Sequence, residues 1–315
     1  MWGPVSIEGQ VIQPGVRKLV ELPVAELPSG TRIHINVHVY RAKKPGPCMI
    51  IMGGLHGDEI NGIETVRRIL TSKKLEKIKK GMVIAIPLLN VYGFNNFSRS
   101  LRDGKDVNRS FPGSKNGSLA SRVAYLMTNS ILPLIDFGID FHTGGASIFN
   151  FPQLRVSEGD DKALELARIF APPFILQNKP IPKSQRKQAM SMGKPILVYE
   201  GGESLRLDEV AIQTGVEGVL RVLNYHEMIS VDVKPGSSAE YSRSTWIRAS
   251  KAGIVNLLSH AGQEVKKGQR LAEIHNLDSL KRSYIHATRN CKVLAHVNNP
   301  VVSRGDALFH LVFNG

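Results

Sequence analysis

Residues 51–64 read IMGGLHGDEINGIE, with His56 and Glu59 three apart between an apolar run and a helical pattern. An imidazole nitrogen and a carboxylate oxygen both ligate divalent metals, and Gly53, Gly54 and Gly57 permit the sharp reversal that brings them to one point. Alone, a His-x-x-Glu pair is a weak signal, since such pairs arise by chance and a loop histidine is usually just solvated. A second apolar run, FGIDFHTGG from Phe137, ends in His142 and then glycines, supplying a third ligand. Two neutral imidazoles and one carboxylate leave a fourth position on Zn²⁺ for water, as in catalytic rather than structural sites. Asp140, two residues before His142 and so on the same strand face, is placed to accept a proton from the outer nitrogen of His56 or His142.

A third run, PILVYEGGE, ends in Glu200 with Glu203 close behind. A carboxylate beside an acidified water takes its proton and delivers it to a leaving nitrogen, so it serves as base and then acid. Glu200 directly abuts the strand and takes this role, whereas Glu203 reads as a surface residue opening the next element. Between the second and first runs lies RSLRDGKDVNRSFPG, residues 99–113. Arginine forks match carboxylates and developing oxyanions, which assigns Asn108 and Arg109 to a substrate carboxylate and Arg102 to the scissile carbonyl. In isolation the same segment reads as a solvated loop.

The elements that must position these residues are legible as alternating patterns. TRIHINVHVY places Ile33, Ile35, Val37 and Val39 on one face of a strand. Continuous apolar runs at Cys48–Met52, from Gly81, from Phe137 and from Pro195 suit strands covered on both faces. Helical periods run over Ile60–Leu70, Leu119–Ile131, Ala163–Phe170 and Leu207–Met228, with Lys73, Lys74, Lys77, Lys79 and Lys80 expected late in the first helix, where the dipole favours cations. Strands alternating with helices predict an α/β fold with a mixed sheet flanked by helices. His56, His142 and Glu200 all fall beyond the carboxyl ends of its strands, where such sheets bind ligands.

After residue 233 the long helical periods cease, and Lys234-Pro235-Gly236 marks a boundary between a catalytic domain, 1–233, and a β-rich domain, 234–315. Within the latter, VKKGQRLAEI and VSRGDALFHL share the pattern V-x-x-G-x-x-L-x-x-[IL], predicting two similar β half-units. The segment resembles a permuted biotinyl/lipoyl-like β-sandwich. Lys281, in DSLKRSY, lacks the flanks of a cofactor-bearing lysine, so a structural or substrate-gating module is expected, with Tyr241 and Tyr284 its candidates to reach the site.

The net charge of +14 raises nucleic-acid binding, but Arg-Gly repeats, RNA-binding aromatic signatures and helix-turn-helix patterns are absent. The basic surface reads as solvated, with a positive potential that attracts small anionic substrates. No apolar run approaches the length of a membrane span, no secretory signal is visible, and Cys48 and Cys291 sit in apolar contexts, all of which place the chain in the cytoplasm.

Taken in order, GGLHGDEINGIE, RDGKDVNRSFPG, DFHTGG and VYEGGE resemble the succinylglutamate desuccinylase/aspartoacylase family of the zinc carboxypeptidase superfamily, over roughly residues 15–230. Phe111-Pro112-Gly113 is nearer its desuccinylase-like and bacterial deacylase branches. The resemblance implies a zinc-carboxypeptidase-like fold, one Zn²⁺ per subunit on His56, Glu59 and His142, Glu200 as general base and acid, and Asn108 and Arg109 on a substrate carboxylate. The spacing of Arg102 from Asn108 differs among family branches. The implied activity is hydrolysis of a small N-acyl amino acid amide. A metallocarboxypeptidase acting on peptides and a non-catalytic binding or carrier protein with a vestigial zinc site are the alternatives, and a homo-oligomer is left open.

Overall fold

The computed structural model describes residues 2–26 and 29–314. Four parallel strands form its centre, in the order Ile196–Glu203, Phe137–Gly144, Lys44–Met52 and Lys80–Ile86. All eight residues of Phe137–Gly144 are buried, as expected of a strand between two covered faces. Arg32–Arg41 joins antiparallel beyond Lys80–Ile86, followed by Arg17–Glu26 at the edge. Helices Ile60–Thr71, Asp161–Phe170 and Glu209–Tyr225 bury Val66, Ile69, Ala167, Phe170, Val219 and Val222 in one core with Met49, Ile51, Ile139 and Leu197. On the other face Leu119–Leu126 packs Ala120 and Val123 against Ile50, Met52 and Ile84.

Asn61 ties the site end together. Its Nδ2 donates to the carbonyl of Gly201 at 3.2 Å and its Oδ1 accepts from the N–H of Asp208 at 2.9 Å. Asp208 in turn caps Glu209–Tyr225 by accepting from Ala211 N–H, so this helix starts two residues later than its apolar period. The lysine run is a correction. The first helix ends at Thr71, Lys73 takes a left-handed conformation, Lys74–Lys77 is a separate 3₁₀ turn, and Lys80 opens the next strand. Arg68 is the one basic residue of the last helical turn. Leu119–Leu126 likewise passes into a π turn over Met127–Ile131.

Two strands that the apolar runs did not announce widen the sheet. Ile148–Ser157 lies antiparallel to Ile196–Glu203, and Phe174–Asn178 pairs parallel with its second half. Its first half pairs instead with Cys291–Val297, which continues to Ala307–Phe313 and Arg243–Arg248. The β-rich tail is therefore hydrogen-bonded into the same sheet as the central strands. A separate four-stranded sheet, Arg282–His286, Arg270–His275, Gly253–Leu257 and Val301–Val302, shares a core with Val265, Val293, Phe309 and Leu311, to which it contributes Leu271 and Ile274. In both sequence echoes the shared glycine, Gly268 or Gly305, has positive φ in the turn. Among the described residues no helix is long and apolar enough to cross a membrane.

Candidate active site

Parallel register brings the chemistry together. Met52 pairs with Asp140, Val198 with Asp140, and Glu200 with His142, so the carboxyl-terminal parts of three strands lie side by side. The chain leaving Met52 turns at once: Gly54 has φ +63°, and a Cβ on Gly57 would lie 2.0 Å from the backbone of Gly93. Only glycine permits that approach, and it folds His56 back over the sheet. Glu59 immediately precedes helix Ile60–Thr71.

His56, Glu59 and His142 are buried, at 2%, 2% and 4% exposure, and their ligand atoms all lie within 4.8 Å of one another. The Nδ1 atoms of both rings stand 2.8 Å from Glu59, one at each carboxylate oxygen, and 3.2 Å apart. Thr143 N–H and Arg99 Nη1 also donate to Glu59, each at 3.2 Å. The outer ring nitrogens meet carboxylates: His56 Nε2 lies 3.2 Å from Asp106 Oδ1, and His142 Nε2 lies 3.0 Å from Asp140 Oδ2, off-line for a hydrogen bond. Asp106 is itself held by Asn108 N–H at 2.7 Å and by Arg99 at 3.0 Å. Carboxylates behind imidazoles fix ring orientation and strengthen them as ligands.

The electrostatics favour a cation at the centre. Burial opposes charge on His56, but Glu59 and Asp106 outweigh it and raise its pKa. Burial is likewise overcome at His142 by Asp140 and Glu59, which lift it well above the ordinary range. Despite burial, Glu59 is held well below the usual carboxylate range by both imidazoles, and Asp106 by His56 and Arg99. Two inward-facing imidazole nitrogens and a carboxylate, with nitrogen atoms 3.2 Å apart, form a donor set that fits Zn²⁺.

Glu200, 8% exposed, lies beside this cluster on a cavity of about 360 Å³. Its Oε2 accepts from Asn150 Nδ2 at 2.8 Å, and its Oε1 lies 3.2 Å from Arg155 Nη1. Asn108 and Arg109 line the same cavity. Asn108 Oδ1 accepts from Gln185 N–H at 2.9 Å, so its Nδ2 is the donor left for a ligand. Arg186 lines the cavity too: 6% exposed, it donates from Nη2 to Asn178 Oδ1 at 2.9 Å, while Nη1 has no partner. Burial, aided by Arg155 and opposed by Glu200, pulls its guanidinium down to about 10.

Residues 45–226 match the family model described as the succinylglutamate desuccinylase/aspartoacylase catalytic domain. The chain belongs to the succinylglutamate desuccinylase/aspartoacylase family. It is 26% identical over 289 residues to an N-alpha-acetyl-L-2,4-diaminobutyric acid deacetylase of Halomonas elongata, covering 87% of this chain and 82% of that protein. Its fold is that of a succinylglutamate desuccinylase/aspartoacylase from Rhodobacter sphaeroides (TM-score 0.83, 23% identity, 95% and 96% of the two chains). The product-bound ectoine utilization protein EutE (DoeB) from Ruegeria pomeroyi shares it as well (TM-score 0.85, 20% identity, 99% of each chain).

Within this family member, three expectations are revised by placement. Arg102 sits exposed on the turn after Leu101 and does not line the cavity, whereas Arg99 does, through its contacts with Glu59 and Asp106. The turn closed by Gly104 N–H on Leu101 carbonyl carries Arg102 outward. Glu203 is not a surface residue: it is 7% exposed, and its Oε2 accepts from Asn298 Nδ2 at 2.6 Å. From the tail, neither Tyr241 nor Tyr284 lines the cavity; Trp246 does. Asn150, Arg155 and Arg186 escaped the sequence reading, although a charged residue inside the strand-like run FPQLRVS was a usable signal for Arg155.

Proposed function

We infer that this chain is a zinc-dependent amidohydrolase that removes the acyl group from a small N-acylated amino acid. The observation that carries the reading is the convergence of three buried ligand atoms beside Glu200 on a cavity lined by Arg109 and Arg186. Family membership and the deacetylase relative support the same chemistry.

Zinc on His56, Glu59 and His142 would supply Lewis acidity, acidifying water and polarising an amide carbonyl. Glu200, steadied by Asn150 and counter-charged by Arg155, takes a proton from the attacking water and returns it to the departing amine nitrogen. Asn108 Nδ2 and Arg109 hold the substrate carboxylate, with Arg186 as a second cation on the same wall. Arg99, already bonded to Glu59 and Asp106, keeps the ligand cluster in place rather than serving the carbonyl. Asp106 and Asp140 orient the two imidazoles. We take residues 1–233 as the catalytic unit and 234–315 as a β-sandwich of biotinyl/lipoyl-like type that walls the cavity, which favours a small amide over a long peptide.

The test is a hydrolysis panel of N-acetyl and N-succinyl amino acids against C-terminal peptide substrates, with zinc-loaded protein. Release of free amino acid from the N-acyl compounds is expected. Turnover confined to peptides contradicts the assignment.

A further inference from the structure

Trp246 is the single cavity-lining residue, among those described, contributed by the β-rich tail. Cross-strand register explains how it gets there. Gly202, just past Glu200, pairs with Asn150; Asn150 pairs with Ala295, Ala295 with His310, and His310 with Trp246. Directly paired residues point to one face of a sheet, so this row runs from the base's partner Asn150 out to the indole. Ala295 is the small member of the row, between Asn150 and the two rings.

The rings of Trp246 and His310 stack, with centroids 4.6 Å apart and planes inclined by 4°. His310 is 8% exposed and its Nδ1 has no partner. The buried imidazole covers the indole face turned toward Asn150, and the half-buried Trp246 borders the cavity with the rest of its ring. Ile148, on the strand face of Asn150 and two residues away, also lines the cavity. Elsewhere the lining carries Asn108, bonded to the Gln185 N–H, and Arg186, bonded to Asn178, with Ile181 and Ser184 from the same stretch.

With the carboxylate of the amine half on Asn108, Arg109 and Arg186, the acyl half extends toward Ile148 and Trp246. We propose that Trp246, held flat by His310, is the acyl-selecting residue of this enzyme, and that its indole receives an apolar acyl chain longer than acetyl. The proposal rests on the deacylase reading for its catalytic consequence but not for the binding surface itself. His310 acts through Trp246 and is a positioning residue.

Two arms separate the claims. In the first, N-acetyl, N-butyryl and N-hexanoyl derivatives of one amino acid are compared in wild type, Trp246→Ala, His310→Ala and His310→Phe. The wild type is expected to favour the longer chains. Trp246→Ala and His310→Ala are expected to lower kcat/KM for the hexanoyl compound about tenfold or more, mainly through KM, with the acetyl compound changed much less. His310→Phe, which keeps a stacking ring, is expected to restore the preference. An equal loss on all three acyl chains overturns the proposal.

The second arm needs no turnover. The chain has two tryptophans, Trp2 and Trp246, so Trp2→Phe leaves Trp246 as sole reporter. Titration of this protein with acetate and hexanoate is expected to shift indole emission at lower concentration for hexanoate. Unchanged emission with hexanoate overturns the proposal even if N-acyl amino acids are hydrolysed. A hexanoate response without any amide hydrolysis keeps the surface and removes the deacylase reading.

Discussion

Glu200 lies directly opposite His142 in the register of two parallel strands. Neighbouring strands stand about 4.8 Å apart, so the proposed base and one proposed metal ligand are fixed by backbone hydrogen bonds rather than by loops. Their partners come from the same strand and the next: Asp140, two residues before His142, sits behind it, and Asn150 and Arg155 of Ile148–Ser157 hold Glu200. Rigid placement of this kind is what a proton-transfer group requires.

Asn150→Ala frees one oxygen of Glu200 while leaving the ligand cluster untouched. Steady-state kinetics are expected to show kcat lower by roughly 10- to 100-fold, with KM little changed and zinc content retained. A loss of zinc in this variant contradicts the division between base and ligands.

Asp106→Asn removes the carboxylate behind His56 and one of the two carboxylates that hold Arg99. Zinc affinity, measured by competition with a chelating dye, is expected to fall roughly 10- to 100-fold. Unaltered affinity means that the contact does not orient the ligand.

Arg186 carries a buried charge whose contacts are an amide oxygen and a backbone carbonyl. Such a charge is costly to fold around and is retained where a ligand anion completes it. Arg186→Met is expected to raise KM roughly tenfold or more with a smaller effect on kcat, and to leave Tm equal or higher. A variant that loses stability without a change in KM assigns Arg186 a structural part only.

Much of this site was visible in the sequence because His56, His142 and the proposed base Glu200 each lie at or just past the end of an apolar run that meets glycines, with Glu59 three residues after His56. Strand ends are local features, and the α/β alternation set them at one edge. What stayed hidden depends on pairing across long sequence separations. Asn150, Arg155 and Trp246 reach the cavity only because Ile148–Ser157 pairs with Ile196–Glu203 on one side and with Cys291–Val297 on the other. The choice between Arg99 and Arg102 depended on the direction of one tight turn, and composition carries no such information. The lysines after Thr71 looked helical because lysine is a good helix former, yet Lys73 breaks the helix with positive φ.

His310 supplies a pH prediction. Burial, with Arg155 adding to it, pushes this imidazole down to about 4. A histidine depressed on folding contributes stability that is complete above its unfolded pKa of about 6.5 and is lost as pH falls toward 4, because the unfolded chain binds the proton first. Zinc-loaded wild type is expected to lose about 1–3 kcal/mol across this window through His310, and His310→Phe to show a shallower decline in urea unfolding. Parallel profiles for the two proteins contradict this linkage.

The most direct test of the account is zinc stoichiometry and turnover measured together on Glu200→Gln. Glu200 touches the substrate's protons but not the ligand cluster, so the variant is expected to keep one zinc per chain while kcat for N-acyl amino acid hydrolysis falls at least about a thousandfold. Full zinc with undiminished turnover would contradict the assignment of Glu200, and a chain that binds no zinc in either form would contradict the site itself.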